Sequence, residues 1–255
     1  MSKPEGWSRG QLIFALKLYC EIPFGKMHSR NPEIIRCARL IGRTPSAVAM
    51  KLTNFASLDP EFRSSGRKGL IRASRADRDI WEEMTSDWSR LAAQTSKVQS
   101  TLGEPSPRNH GPQYDPKSYF GGTRDAVVQA RIGQGFFRTA VLSAYDFKCC
   151  ITGLPIPELL VASHILPWAD DVANRLNPRN GLCLSAIHDR AFDLGLITIS
   201  VNLRVVLSTK LRRLKANSYI NNTFCAYEDQ PILLPTKFSP EADFLKHHRE
   251  HVFLA

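Results

Sequence analysis

Three residues constrain this chain more than anything else in it: His164, Asn180 and His188 fall within 25 positions of one another. The segments between them set an order. A strand-like run at Lys148 to Ile151 meets a turn at Thr152-Gly153, and a second strand-like run, Leu159 to Ala162, leads into Ser163-His164-Ile165. A Pro/Asp-rich loop then crosses Pro167 to Arg179, and a short helix opens at Ser185 with His188 in its first turn. A lone histidine after an apolar strand is usually a hydrogen-bonded core residue, and Asn-Gly is a strong turn dipeptide. The ordered set around these residues is what argues for more.

That set comprises Arg131-Ile132-Gly133-Gln134, Phe137-Arg138, Cys150-x-Thr152-Gly153, Ala162-Ser163-His164-Ile165 with Pro167-Trp168, Asn180-Gly181-Leu182, and His188-x₃-Phe192-Asp193-x-Gly195. In this order it resembles the ββα-metal core of HNH nucleases, in the subgroup found in restriction-type and phage-defence enzymes, over roughly residues 131–208. The resemblance implies that His164 is the general base, since a neutral imidazole takes a proton from water at cellular pH. It implies that Asn180 bonds backbone near the histidine and fixes the ring's aim. His188 would be the metal ligand, with Mg²⁺ or Mn²⁺ as Lewis acid on the phosphoryl group; the plainer role is a histidine on the helix surface.

Many such sites carry Asp, Glu or His immediately before the base; here that position is Ser163. Asp193, Asp170 and Asp171 are the alternatives for a second ligand, although Asp193 could equally bond Arg190 or the turn at Gly195. Arg138 could clamp a phosphate bidentately or pair with a carboxylate inside its own module.

The N-terminal part reads as helices. Trp7 to Glu21 carries an apolar stripe behind Ser8 as cap; a second helix starts at Asn31-Pro32 and a third at Thr44-Pro45. Three short helices with a tight Gly42-Arg43-Thr44 turn resemble a helix-turn-helix or Myb/SANT-like DNA-binding unit. The competing use is a bundle for dimerisation or packing. Charge favours DNA: residues 26–78 hold 12 Lys/Arg against 4 Asp/Glu, and residues 1–110 carry a net +7 of the chain's +10. Arg43, Thr44, Ser46 and Lys51 are the expected contacts on the turn and third helix, with Arg67 and Lys68 in a basic extension on the phosphates. Ala76 to Val98 reads as one longer helix, and residues 126–132 and 136–145 as two.

Ser100 to Pro116 has four prolines, two glycines and little apolar content, the composition of a linker. The expected layout is therefore 1–99 helical and DNA-binding, 100–118 linker, 119–255 nuclease. The fold class is α+β: a helical N-terminal domain plus a C-terminal ββα-metal (HNH) domain with flanking helices. No signal peptide and no apolar run of about 20 residues is present, so a cytoplasmic chain without membrane partners is expected. The six cysteines form no C-x-x-C pair, and no structural zinc is expected. Together these readings describe a metal-dependent endonuclease acting on double-stranded DNA, as a monomer or homodimer, in restriction or antiviral defence. A non-catalytic DNA-binding regulator with a vestigial core and a relaxed nuclease toxin are the alternatives.

Overall fold

Capping chemistry sets the helix starts in the N-terminal half. A computed structural model describes residues 6–61, 73–101, 124–168 and 171–255, with 99–101 and 124–131 as backbone only. Ser8 accepts the Gln11 N–H while the Gln11 side chain accepts the Ser8 N–H at 3.0 Å, a reciprocal box that opens α1 (Arg9–Glu21). Asn31 and Thr44 cap α2 (Pro32–Leu40) and α3 (Pro45–Ala56), each with proline in the first turn. Gly42 turns the chain between them at φ +65°, the left-handed conformation glycine adopts at no steric cost. All three starts agree with the sequence expectation.

The expected single helix over 76–98 is two, α4 (Arg75–Thr85) and α5 (Trp88–Thr101). Asp87 explains the break, because its carboxylate accepts the Arg90 N–H at 3.0 Å and so caps a new helix. The reverse holds for α6 (Arg124–Ala144), which runs unbroken through Gly133 and Gly135 where two helices were expected. Glycine costs about 1 kcal/mol against alanine in a helix. Burial of Phe136, Phe137, Ala140 and Val141 outweighs it.

α1 lies at the centre of this half and packs against the other five helices, burying Leu12, Ile13, Leu16, Tyr19 and Cys20. The Tyr19, Phe55 and Trp81 rings interlock at centroid distances of 5.7–6.5 Å, and Ser143 Oγ donates to the Cys20 carbonyl at 2.6 Å. That bond and the helix packing place α6 with the N-terminal helices. The chain accordingly divides into two compact units between Ala144 and Tyr145, not at the expected linker, most of which lies outside the described residues.

In the second unit the expected strand at 148–151 is a turn. Asp146 and Phe147 take positive φ of 53° and 55°, and Gly153 N–H closes on the Cys149 carbonyl at 2.8 Å. The apolar residues there, Cys149 and Cys150, are buried without being in a strand. The strand that sequence reading left as loop is β2 (Gly181–Ser185), antiparallel to β1 (Leu160–His164) with His164 opposite Gly181. All five β2 residues are buried, so no alternation marks it. α7 (Ala186–Asp193) follows directly and packs on both strands, which completes a ββα unit.

β3 (Ile197–Ile199) and β4 (Val205–Leu207) form a hairpin, and short helices α8 (Thr209–Arg213) and α9 (Ser218–Thr223) follow. α10 (Ala242–His251) covers β3. Gly195 connects α7 to β3 at φ +65°, where an added Cβ would overlap the Val252 carbonyl. Among the described residues no helix is long and apolar enough to cross a membrane.

Candidate active site

Successive strand residues point to opposite faces, so β1 delivers its last two side chains differently. Ser163 turns inward at 2% exposure, while His164 is half-buried at the strand's end. The His164 Nε2 lies 2.9 Å from the Arg175 carbonyl. A carbonyl only accepts, so Nε2 carries the hydrogen and Nδ1 holds the ring's lone pair. The imidazole meets the Trp168 ring edge-on at 5.4 Å; Arg175 stacks its guanidinium over that indole at 5.1 Å and donates from Nε to the Trp168 carbonyl at 2.7 Å. Burial lowers the His164 pKa to about 4; the Arg175 charge lowers it too, and the carbonyl bond partly opposes both.

Asn180 joins the two ends of the loop. It is 1% exposed, its Oδ1 accepts the Leu166 N–H at 2.8 Å, its Nδ2 donates to the Asn174 carbonyl at 3.2 Å, and its own carbonyl accepts the Ile165 N–H at 3.0 Å. It therefore holds backbone on either side of the histidine's exit from β1. Asn174 continues the lattice, with its amide and side chain bonded to Asp171 at 3.1 and 2.7 Å. Those bonds hold the Asp171 carboxyl below its usual range and commit it to the loop; Asp170 lies outside the described residues.

His188 departs from its expected role. Its Nδ1 accepts from Ser185 Oγ at 2.8 Å, its Nε2–H donates to the Thr223 carbonyl at 2.9 Å, and Phe224 and Tyr227 flank the ring. At 3% exposure, with both nitrogens bonded inside the protein, it clasps α7 to α9 instead of presenting a lone pair to a metal. Burial lowers its pKa, against the bond to Thr223.

Oxygen atoms gather instead between β1 and α7. Ser163 Oγ is buried without a hydrogen-bond partner of normal geometry, yet it faces Asp189 closely enough to favour that residue's ionised form. Burial nevertheless raises Asp189, and Arg190 opposes the rise. Asp193, one turn on, has an exposed outer edge, but desolvation of its carboxyl and then the Asp189 charge raise it to about 6, again against Arg190. Among the described residues no group of three or more His, Cys, Asp or Glu is gathered as for a metal ion. Mg²⁺ does not require one, since it commonly takes one or two carboxylates and completes its shell with water and phosphate oxygens. The donor set beside Ser163 suits such a hard cation; the His188 ring does not.

The expected DNA contacts scatter. Thr44 and Ser46 are exposed at the start of α3. Lys51 is 7% exposed and ion-paired to Asp77 at 2.7 Å, so it is not offered to a phosphate. Arg43 is held from within, Nη2 donating to Gln11 Oε1 at 3.0 Å and the guanidinium lying over Trp7 at 5.3 Å. Arg138 is half-buried on α6 of the first unit, apart from the unit that holds His164. Arg67 and Lys68 lie outside the described residues. Sequence reading missed Arg175, Asn174 and Asp189. The Asn-rich spacing of the loop was a signal for the first two, and Asp189, four residues before Asp193 on one helix face, was a signal for the third.

Residues 149–200 match the model of a family described as HNH endonuclease. The match spans both strands, the loop and α7 of the second unit, and it supports a nuclease acting on DNA, in a family whose members typically depend on a divalent metal. No curated protein matches the chain.

Proposed function

We propose that this protein is a metal-dependent endonuclease that hydrolyses phosphodiester bonds in duplex DNA, with residues 145–255 performing the chemistry and the N-terminal helices engaging the duplex. The observation that carries this reading is the seat of His164. The ring leaves a strand inside the matched segment, a backbone carbonyl fixes its tautomer, and the loop around it is pinned by Asn180. Nδ1 is then the atom that takes a proton as water attacks phosphorus. A pKa of about 4 keeps the free protein's imidazole neutral, and the negative charge of bound DNA raises it toward a value suited to proton abstraction. The Arg175 guanidinium, fixed on Trp168 beside this ring, meets the phosphate charge. A bound Mg²⁺ or Mn²⁺ would supply Lewis acidity to the phosphoryl group and neutralise the leaving 3′-oxygen.

Exposure of Thr44, Ser46 and Met50 along one side of α3 supports a helix-turn-helix use of the first three helices. Restriction or defence against foreign DNA is the setting that fits a nuclease with its own DNA-engaging module. One observation favours a second reading, a non-catalytic DNA-binding regulator: His188 is committed within the fold. Plasmid cleavage decides between them. The full chain should nick or linearise plasmid with Mg²⁺ or Mn²⁺ and stop with EDTA, and His164→Ala should cut about 10²–10⁴-fold more slowly with DNA affinity retained. Wild-type rates in that variant sink the assignment of the base, and a wild-type protein that binds plasmid but never cuts it supports the regulator.

A further inference from the structure

Ser163 occupies the position before the candidate base, and serine is a poor ligand. The chain supplies carboxylates to the same place from another element. α7 packs on β1, and it carries Asp189, 8% exposed, with Asp193 four residues on along the same helix face. Ser163 Oγ faces Asp189 and finds no hydrogen-bond partner of normal geometry, although less than 1 Å² of it is exposed. Buried hydroxyls are almost always bonded, so an orphan of this kind calls for a missing partner. Among the described residues no side-chain cation closes an ion pair with either carboxylate; Arg190 acts on both only through its charge. The spot is rich in oxygen and short of positive charge, and its donors are the hard type that Mg²⁺ and Mn²⁺ prefer.

We propose that Asp189, with Asp193 one helical turn further and the Ser163 hydroxyl beside them, forms the protein's half of a divalent-cation site, taking the part expected of a carboxylate before His164 and of His188. The binding stands independently of the nuclease reading; what the ion is used for rests on that reading. The site holds the cation through two carboxylates from one helix and leaves the remaining coordination to water and substrate oxygens.

Mn²⁺ binding to the full-length chain, read by the loss of the free-ion electron paramagnetic resonance signal, tests this without reference to activity. Wild type should bind Mn²⁺ saturably, and Mg²⁺ should compete. Asp189→Asn should weaken Mn²⁺ at least about tenfold, Asp193→Asn should weaken it less, and His188→Gln should leave it unchanged. Circular dichroism checks that each variant is folded. A further measurement needs no variant: Fe²⁺ with ascorbate and peroxide cleaves backbone next to bound metal, and mass spectrometry should place the cuts near Ser163 and Asp189. Cuts confined elsewhere, no saturable Mn²⁺ binding, or binding lost in folded His188→Gln but kept in Asp189→Asn overturns the proposal. Plasmid cleavage in the same samples separates the two readings. Mn²⁺ binding that depends on Asp189 in a protein that never cuts DNA keeps the cation site and sinks the nuclease. Metal-dependent cutting with Mn²⁺ affinity unaltered in Asp189→Asn does the reverse.

Discussion

The protonation of His164 decides whether it can act, and its surroundings hold it neutral. Burial and the Arg175 charge take its pKa from 6.5 to about 4, so the free protein keeps a proton-accepting ring well below neutrality. The pH dependence of kcat/KM reports groups in the free enzyme. Its acid limb should therefore fall far below the ordinary histidine value, while a limb near 6.5 would point to a different base. Arg175→Gln removes one lowering cause and should move that limb upward. The same shift has a cost in stability. Between about 4 and 6.5 the unfolded chain binds a proton at His164 that the folded chain refuses, so the stabilisation is fully present above 6.5 and is lost as pH falls through that window. His248, buried against Phe192 and also lowered to about 4, adds in the same direction. The raised carboxyls of Asp189 and Asp193 oppose them, since their contribution fades as pH rises.

At the scale of elements, α3 and α4 are joined by an ion pair that sequence reading had assigned to DNA. Lys51 Nζ meets Asp77 Oδ1 at 2.7 Å with Asp77 wholly buried, and Asp77 Oδ2 also accepts the Ser74 N–H that opens α4. Removing the lysine leaves a buried carboxylate without its cation, a change that costs about 3–5 kcal/mol. Lys51→Ala should lower the denaturant midpoint of the N-terminal unit by that order and leave the salt dependence of DNA binding untouched. A Lys51→Ala protein of unaltered stability whose affinity falls and whose salt slope becomes shallower would return the residue to the DNA surface. The error was one of burial. Basic type and helical position were legible in the sequence, but Lys51 has its partner 26 residues away, beyond what helical periodicity reports. Helix starts were legible because Ser8, Asn31 and Thr44 cap through neighbours two or three residues on. β2 and the clasp of His188 to Thr223 were not, because a strand buried on both faces shows no period and a bond across 35 residues leaves no local mark. The His164 and Asn180 roles lay closer to the surface of the sequence, since their partners fall within 14 residues.

At the scale of the whole chain, α6 decides where the protein can be cut. Its apolar residues Phe136, Phe137, Ala140 and Val141 are buried; Phe136 stacks against Trp88 at 6.2 Å, and the helix packs on α1 and α5. A truncation after 118, at the linker that composition suggests, would strip this helix from its partners and uncover the Trp88 and Leu91 side of α5. Each large apolar side chain so exposed forfeits about 1.5–3 kcal/mol, a large share of the 5–15 kcal/mol that holds a typical domain together. Residues 1–144 should therefore unfold cooperatively with a melting temperature well above that of residues 1–118, which should be partly unfolded or aggregated. The complementary fragment 145–255 contains β1, β2, α7 and every residue placed around His164. It should fold by itself, retain Mn²⁺ binding and cut plasmid only at much higher protein concentration, because the net +7 of residues 1–110 is absent. Calorimetry on the three fragments and plasmid titration with the last test both halves of the argument. Equal melting of 1–118 and 1–144 would show that α6 is dispensable to the first unit. Cleavage by 145–255 at full-length potency would free the N-terminal helices for another task, with dimerisation the next to test.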